Sequence, residues 1–203
     1  MIRQLEHMLE LQNSINQKVH PHWEDQGFEW FRAVWIEAAE MMDHWGWKWW
    51  KKQDPQLAQV HLELIDIWHF GLSLLIQENG ISKTTVERVE TELRQSADSM
   101  PFLEAVENFA RLTLETKSFP LQSFVTLMEA SKLSFDDLYC GYVGKNVLNF
   151  FRQDHGYKTG TYQKLWNGRE DNEHLAEIIA ALDVNALDFQ TLLYQELKNR
   201  YSA

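Results

Sequence analysis

The chain has 203 residues, 44% hydrophobic and 24% charged, which suits one globular domain with a sizeable core and excludes a disordered tract. A net charge of −11 argues against a nucleic-acid binder or a protein docked on anionic lipid, since both need a positive face. The single cysteine, Cys140, excludes an intrachain disulfide and points to the cytoplasm; the N-terminal residues show no signal-peptide pattern, and no apolar run approaches the roughly 18 residues of a membrane span.

Only four prolines and nine glycines are present, and helical periodicity runs through almost every segment. The spacing predicts helices near 2–19, 29–45, 56–78, 84–98, 101–116, 121–132, 135–153, 172–182 and 188–200, an all-α multi-helix bundle forming a single domain over 1–203. Ser82, Ser99 and Ser134 stand where helix N-caps are expected, and Gly80 where the third helix should stop. The longest irregular stretch is DHGYKTGTYQKLWNGREDN, 154–172; a loop of that length in a compact domain is usually functional or mobile.

In the first helix Leu5 and Leu9 lead into Gln12 and Asn16 at i, i+4, i+7 and i+11, so two amides continue an apolar stripe. Buried amides must find partners. They serve either as polar glue between helices or as donor-and-acceptor readers of a pyrimidine edge.

The second helix carries Glu37 and Glu40, three apart. Against the stripe Val34, Ala38, Met41 and Trp45, Glu37 lies roughly 60° away and Glu40 about 120°. Glu37 therefore belongs at the core edge, and for this pair alone a solvated acidic flank is the plain alternative. Four tryptophans follow within six residues (Trp45, Trp47, Trp49, Trp50), beside Lys48, Lys51 and Lys52. Trp45 fits the helix stripe, and Trp47 is the candidate to stack on a flat ligand.

The third helix reads LAQVHLELIDIWHFGLSLLI from Leu57 to Ile76, apolar nearly all round and so central. Its charges are Glu63 and Asp66, again three apart, and no Lys or Arg occurs between Gln53 and Ser82. Buried carboxylates need a counter-charge. That charge is either a basic side chain distant in sequence, making a structural ion pair, or a metal. Four carboxylates without a thiolate suit a hard ion, Mg²⁺ or Mn²⁺. His44, His61 and His69 lie nearby; histidines on apolar faces are more often core residues than ligands.

From Gly141 to Arg169 the sign of charge reverses, with Lys145, Arg152, Lys158, Lys164 and Arg169 against one acid, Asp154. Lys145, Asn149 and Arg152 share a helical face. The segment reads either as a phosphate cradle or as a set of bases balancing surface acids.

Taken together, LQNSIN at 11–16, EAAEMMDHWGWKWWK at 37–51, ELIDIWHF at 63–70 and GKNVLNFFRQDHGYKTGTYQKLWNGREDN at 144–172 resemble the dimeric, all-α dUTPase family, within the all-α NTP pyrophosphatase superfamily. The resemblance implies Mg²⁺-dependent hydrolysis of dUTP, and of dUDP, to dUMP by a homodimer whose partner subunit helps to build the site. Glu37, Glu40, Glu63 and Asp66 match the family's ligands for two or more Mg²⁺, with Glu37 also activating the attacking water. Gln12 and Asn16 match its base readers, with Trp47, His69, Phe70 and Asn149 around base and sugar. Lys145, Arg152, Tyr157, Lys158 and Lys164 fall in the motifs that contact phosphate. Three alternatives stand beside this: a phage-type dCTP/dUTP pyrophosphatase, a broad MazG-like house-cleaning enzyme, and a non-catalytic helical module whose acids form structural ion pairs.

Overall fold

Nine α-helices, α1 (Ile2–Val19), α2 (Trp30–Trp45), α3 (Leu57–Asn79), α4 (Lys83–Leu93), α5 (Phe102–Thr116), α6 (Leu121–Ser131), α7 (Phe135–Asp154), α8 (Asp171–Ala181) and α9 (Phe189–Arg200), account for most of the computed structural model, which describes residues 1–184, 186 and 188–201. Between α7 and α8 a two-residue hairpin pairs β1 (Leu165–Trp166) with β2 (Arg169–Glu170).

The bundle is built around α3, as its all-round apolarity requires. Its residues from Leu64 to Ile76 are almost continuously buried, and it packs against α1, α2, α6 and α7. Trp68 anchors the far side, stacking on Phe124 at 5.1 Å beside Phe119. Two glycines let α7 approach closely. A Cβ at Gly141 would lie 2.3 Å from the Ile65 side chain, and one at Gly144 2.3 Å from Ile179. This packing carries the face of α7 that bears Lys145 to the middle of α3. Among the described residues, no helix is long and apolar enough to cross a membrane.

Helix boundaries follow local chemistry. Ser82 accepts from Thr85 N and Ser134 from Asp137 N, each at 3.1 Å, as N-caps should. Gly80 ends α3 at φ +65°. Three details depart from the sequence expectation. The fourth helix stops at Leu93, not 98, because α6 captures the following backbone: Gln122 donates to Ser96 O at 2.8 Å and Thr126 Oγ1 accepts from Asp98 N at 3.4 Å. Ser99 is not a cap; Pro101 occupies the N-cap position, and α5 begins at Phe102. The irregular stretch 154–172 contains the hairpin, whose turn residues Asn167 and Gly168 both have positive φ, 51° and 80°. Asn-Gly is the pair that such a turn favours.

Candidate active site

Glu37, Glu63 and Asp66 converge where α2 lies along α3. Oxygens from the three carboxylates all lie within 4.8 Å of one another. Glu63 is buried and the other two are partly so, as their positions on the two helices dictate. Crowded burial has an electrostatic consequence. Burial and the nearby charge of Asp66 push the Glu37 carboxyl up to about 8, assisted by a hydrogen bond with Glu63. Burial and Asp66 likewise push Glu63 up to about 7, while Lys145 and the bond from Glu37 pull against the rise. The site has more negative charge than the protein compensates.

A distant base does reach this cluster. Lys145, buried on α7, donates to Asp66 Oδ2 at 2.7 Å and to Asn172 Oδ1 at 3.0 Å. His44 Nε2 lies 3.4 Å from Glu63 Oε1. One lysine cannot neutralise three carboxylates, and the raised Glu37 and Glu63 register the deficit. A close set of carboxylate oxygens without sulfur is the donor chemistry of a hard divalent cation, so the residues fit Mg²⁺ or Mn²⁺. Glu40 lies on the exposed side of α2, outside the group of three, although its charge contributes to the rise of both Glu37 and Glu63.

One to three turns further along α3 the chemistry changes from charge to neutral hydrogen bonds. Gln12 Nε2 donates to Asn16 Oδ1 and to Ser73 Oγ, each at 3.0 Å, and Asn16 Nδ2 donates to Ser73 Oγ at 2.9 Å. Gln12 Oε1 lies 2.8 Å from His69 Nδ1 and 3.0 Å from the Tyr142 hydroxyl. The His69 ring stacks on Tyr142 at 4.1 Å, and burial drives its imidazole down to about 3, so it is neutral. Its Nε2 is buried without a partner among the described residues. Phe70 stacks on Trp30, 6.2 Å between ring centres. At 1.5 Å per residue, Glu63 and Ser73 are about 15 Å apart along the helix axis. The acids and this buried network of amides and hydroxyls thus lie in sequence along α3.

Ser73 and Tyr142 are absent from the sequence expectation. Ser73 is detectable in principle, as the lone hydroxyl on the apolar face of α3. Tyr142 gives no such signal, because only the packing of α7 brings it to α1.

The remaining candidates divide. Arg152 grips Asp171 through Nε and Nη2, both at 2.8 Å, and donates from Nη1 to Asn149 Oδ1 at 3.2 Å. Burial alone would raise the Asp171 carboxyl, but Arg152 and the Tyr162 hydroxyl hold it below the usual range. Asp171, Asn172 and Tyr162, none of them among the residues expected from sequence, thus organise the basic side of the site. Tyr157 is exposed, with Arg152 over its ring. Lys158 donates to Val19 O at 2.5 Å, and Lys164 lies 3.5 Å from Glu170. Trp47 is exposed and donates to Asp43 Oδ1 at 3.0 Å, whereas Trp45 stacks on Phe102 at 4.0 Å. A surface cavity of about 390 Å³ lies elsewhere, between α1, α7 and α9, lined by Leu11, Phe150, Asp154 and Tyr194 and by none of the three cluster acids.

An all-α bundle whose central helix carries a carboxylate cluster and, two turns further along, a buried amide network is the frame of a helical nucleotide hydrolase. The dUTPase family model matches residues 4–157, three quarters of the chain, and the chain belongs to that family. Its activity is that of a dUTP diphosphatase acting on a nucleotide substrate. The match spans α1 to the start of the loop after α7, so Lys158, Lys164, Asp171 and Asn172 fall outside it. No curated protein matches the chain.

Proposed function

We propose that the chain, acting over 1–203 as one dUTPase-like domain, hydrolyses dUTP, and also dUDP, to dUMP with Mg²⁺ held by Glu37, Glu63 and Asp66. The observation that carries this reading is the charge deficit in that cluster. If the acids were a structural ion pair, their counter-charges would balance; here Lys145 leaves Glu37 and Glu63 strained toward protonation. A divalent ion completes the balance, and Glu40, on the open side, is placed to share a second ion. When bound, Mg²⁺ supplies charge neutralisation at the phosphate oxygens and makes an attacking water acidic enough to react near neutral pH. Mn²⁺ is the expected substitute.

The chain's own residues supply the rest. Glu37 orients the attacking water and takes its proton as a general base. Lys145 and Arg152 are held in place by Asn172 and Asp171, so their positive charge faces the anionic substrate without reorganisation. Asn149, Tyr157, Lys158 and Lys164 border the same side. Gln12, Asn16, His69 and Phe70 take base and sugar, and Trp47 closes over them from the α2–α3 connection. Exposed Trp47, Trp49 and Trp50 form a contiguous aromatic patch, with ring centres 5.2 and 5.5 Å apart, which suits a homodimer contact beside the site. The lone thiol, Cys140, fits a reducing cytoplasm.

The test is a pyrophosphate-release and monophosphate-formation panel over the common ribo- and deoxynucleotides, with and without Mg²⁺. Metal-dependent turnover of dUTP and dUDP far above dCTP and dTTP is the expected result. Equal rates on all triphosphates, or turnover indifferent to chelation, would overturn the reading.

A further inference from the structure

We infer that Asn172 is a phosphate-contacting residue of the site: its carboxamide relays the positive charge of Lys145 and Arg152, two largely enclosed cations, to a phosphate oxygen of the substrate. The inference rests on the reading that this basic side of the site receives the phosphates.

Two cations converge on one neutral oxygen. Lys145 Nζ donates to Asn172 Oδ1 at 3.0 Å, and Arg152 Nη2 donates to the same atom at 3.4 Å. Ammonium and guanidinium groups only donate, so the Asn172 atom that faces them is the oxygen. The amide cannot turn over, because its NH₂ would then meet two donors with nothing to accept. The nitrogen therefore takes the other branch of the carboxamide, away from both cations. It has no partner among the described residues. Nor is it one of the buried polar atoms left unsatisfied, so it reaches solvent from a half-buried side chain.

A count of donors shows why this amide matters. Lys145 commits two of its three N–H bonds, to Asp66 and Asn172. Arg152 commits four of its five, to Asp171, Asn149 and Asn172. One N–H is left on each cation, and Asn172 adds two more. The Lys145 side chain is only 3% exposed and that of Arg152 11%. Half of the free donors thus belong to a neutral residue, and those reach solvent. Both cations pull on the Asn172 oxygen, which draws electron density from the amide and makes its N–H groups stronger donors. A donor already fixed in place needs no reorganisation when the anion arrives.

The plain alternative is that Asn172 only bridges the two cations. Asn172→Asp separates the roles. It keeps an oxygen for Lys145 and Arg152, so the bridge survives with charge-assisted bonds. It replaces the NH₂ by a second oxygen, which cannot donate and repels an anion. The added charge also acts at a distance, but that part is screened by salt, with a Debye length of about 3 Å at 1 M. A lost contact is not screened.

Two measurements test this, with inorganic pyrophosphate and Mg²⁺ as the probe. The first is ¹H–¹⁵N NMR of the side-chain amides in the wild type. Pyrophosphate should move the Asn172 NH₂ signals, and deoxyuridine, which has no phosphate, should leave them in place. The second is pyrophosphate affinity by calorimetry. It should weaken about tenfold or more in Asn172→Asp, and the factor should persist as salt is raised toward 1 M. An Asn172 amide that pyrophosphate does not move in a chain that hydrolyses dUTP, an unchanged affinity in Asn172→Asp, or a deficit that vanishes at high salt would each overturn the inference. The NMR measurement needs only the wild type, so it decides the matter even where the variant does not fold. A wild type that neither binds pyrophosphate nor hydrolyses dUTP would instead sink the functional reading.

Discussion

Glu63→Gln is expected to raise the stability of the metal-free protein at pH 8, and to abolish turnover when Mg²⁺ is present. In the folded chain the Glu63 carboxyl rises from 4.5 to about 7, chiefly through burial and then Asp66. Its pKa is raised, so the folded state holds the proton more tightly than the unfolded chain. The associated stability is complete below pH 4.5 and is lost as pH climbs through about 7. At about 1.4 kcal/mol for each pH unit between the two values, the loss is about 3 kcal/mol. Glutamine has the shape without the charge and does not suffer this loss. For a chain of this size the advantage corresponds to roughly 6–12 °C in Tm. Thermal denaturation in EDTA at pH 5 and pH 8 reads it directly: the variant should match or trail the wild type at pH 5 and exceed it at pH 8. Adding Mg²⁺ should reverse the order, because the ion stabilises only the chain that binds it. A structural ion pair predicts the opposite, with glutamine destabilising at pH 8 by stranding its partner. A variant less stable than wild type at pH 8 in EDTA would refute the charge-deficit argument.

Two further outcomes follow from the basic side of the site. Lys145→Met removes the cation paired with Asp66, and breaking a buried pair of this kind costs about 3–5 kcal/mol in urea unfolding; Mg²⁺ should recover part of the loss, since it supplies the missing charge. Arg152→Lys keeps the charge but gives up the two-point grip on the fully buried Asp171, at a cost of about 2 kcal/mol. Because the Asp171 carboxyl is depressed in the folded state, its stabilisation is present above pH 3.8 and is lost as pH falls through the folded value. The acid-unfolding midpoint of Arg152→Lys should therefore move to higher pH, which circular dichroism against pH would show.

Local pattern carried far in this chain. Nine helices were legible because the 3.6-residue period is written into each segment, and the boundaries agree within a residue or so wherever the stop is local, as with Ser82, Ser134 and Gly80. Where the stop is made by a distant element, the pattern overran: nothing in residues 94–98 announces that Gln122 and Thr126 will take their backbone groups. On α2 the helical angle from the apolar stripe matches burial, since Glu37 is half-buried and Glu40 exposed. The Asn167-Gly168 pair carries a turn signal, but strands of two residues leave no alternation to mark a hairpin around it.

What the amino-acid order determined by itself is thus the helices, their apolar faces, and the demand that Glu63 and Asp66 find a counter-charge. Which charge answers was decided only by tertiary structure. Close packing of α7 on α3 at Gly141 brings Lys145 to Asp66, and Arg152 pairs with Asp171. The triangle of Gln12, Asn16 and Ser73 exists only because α1 lies across α3 at that register. Periodicity acts over neighbours a few residues apart and is set by backbone geometry. Pairing across 57 to 79 residues of chain depends on how whole helices pack, and no local pattern encodes it.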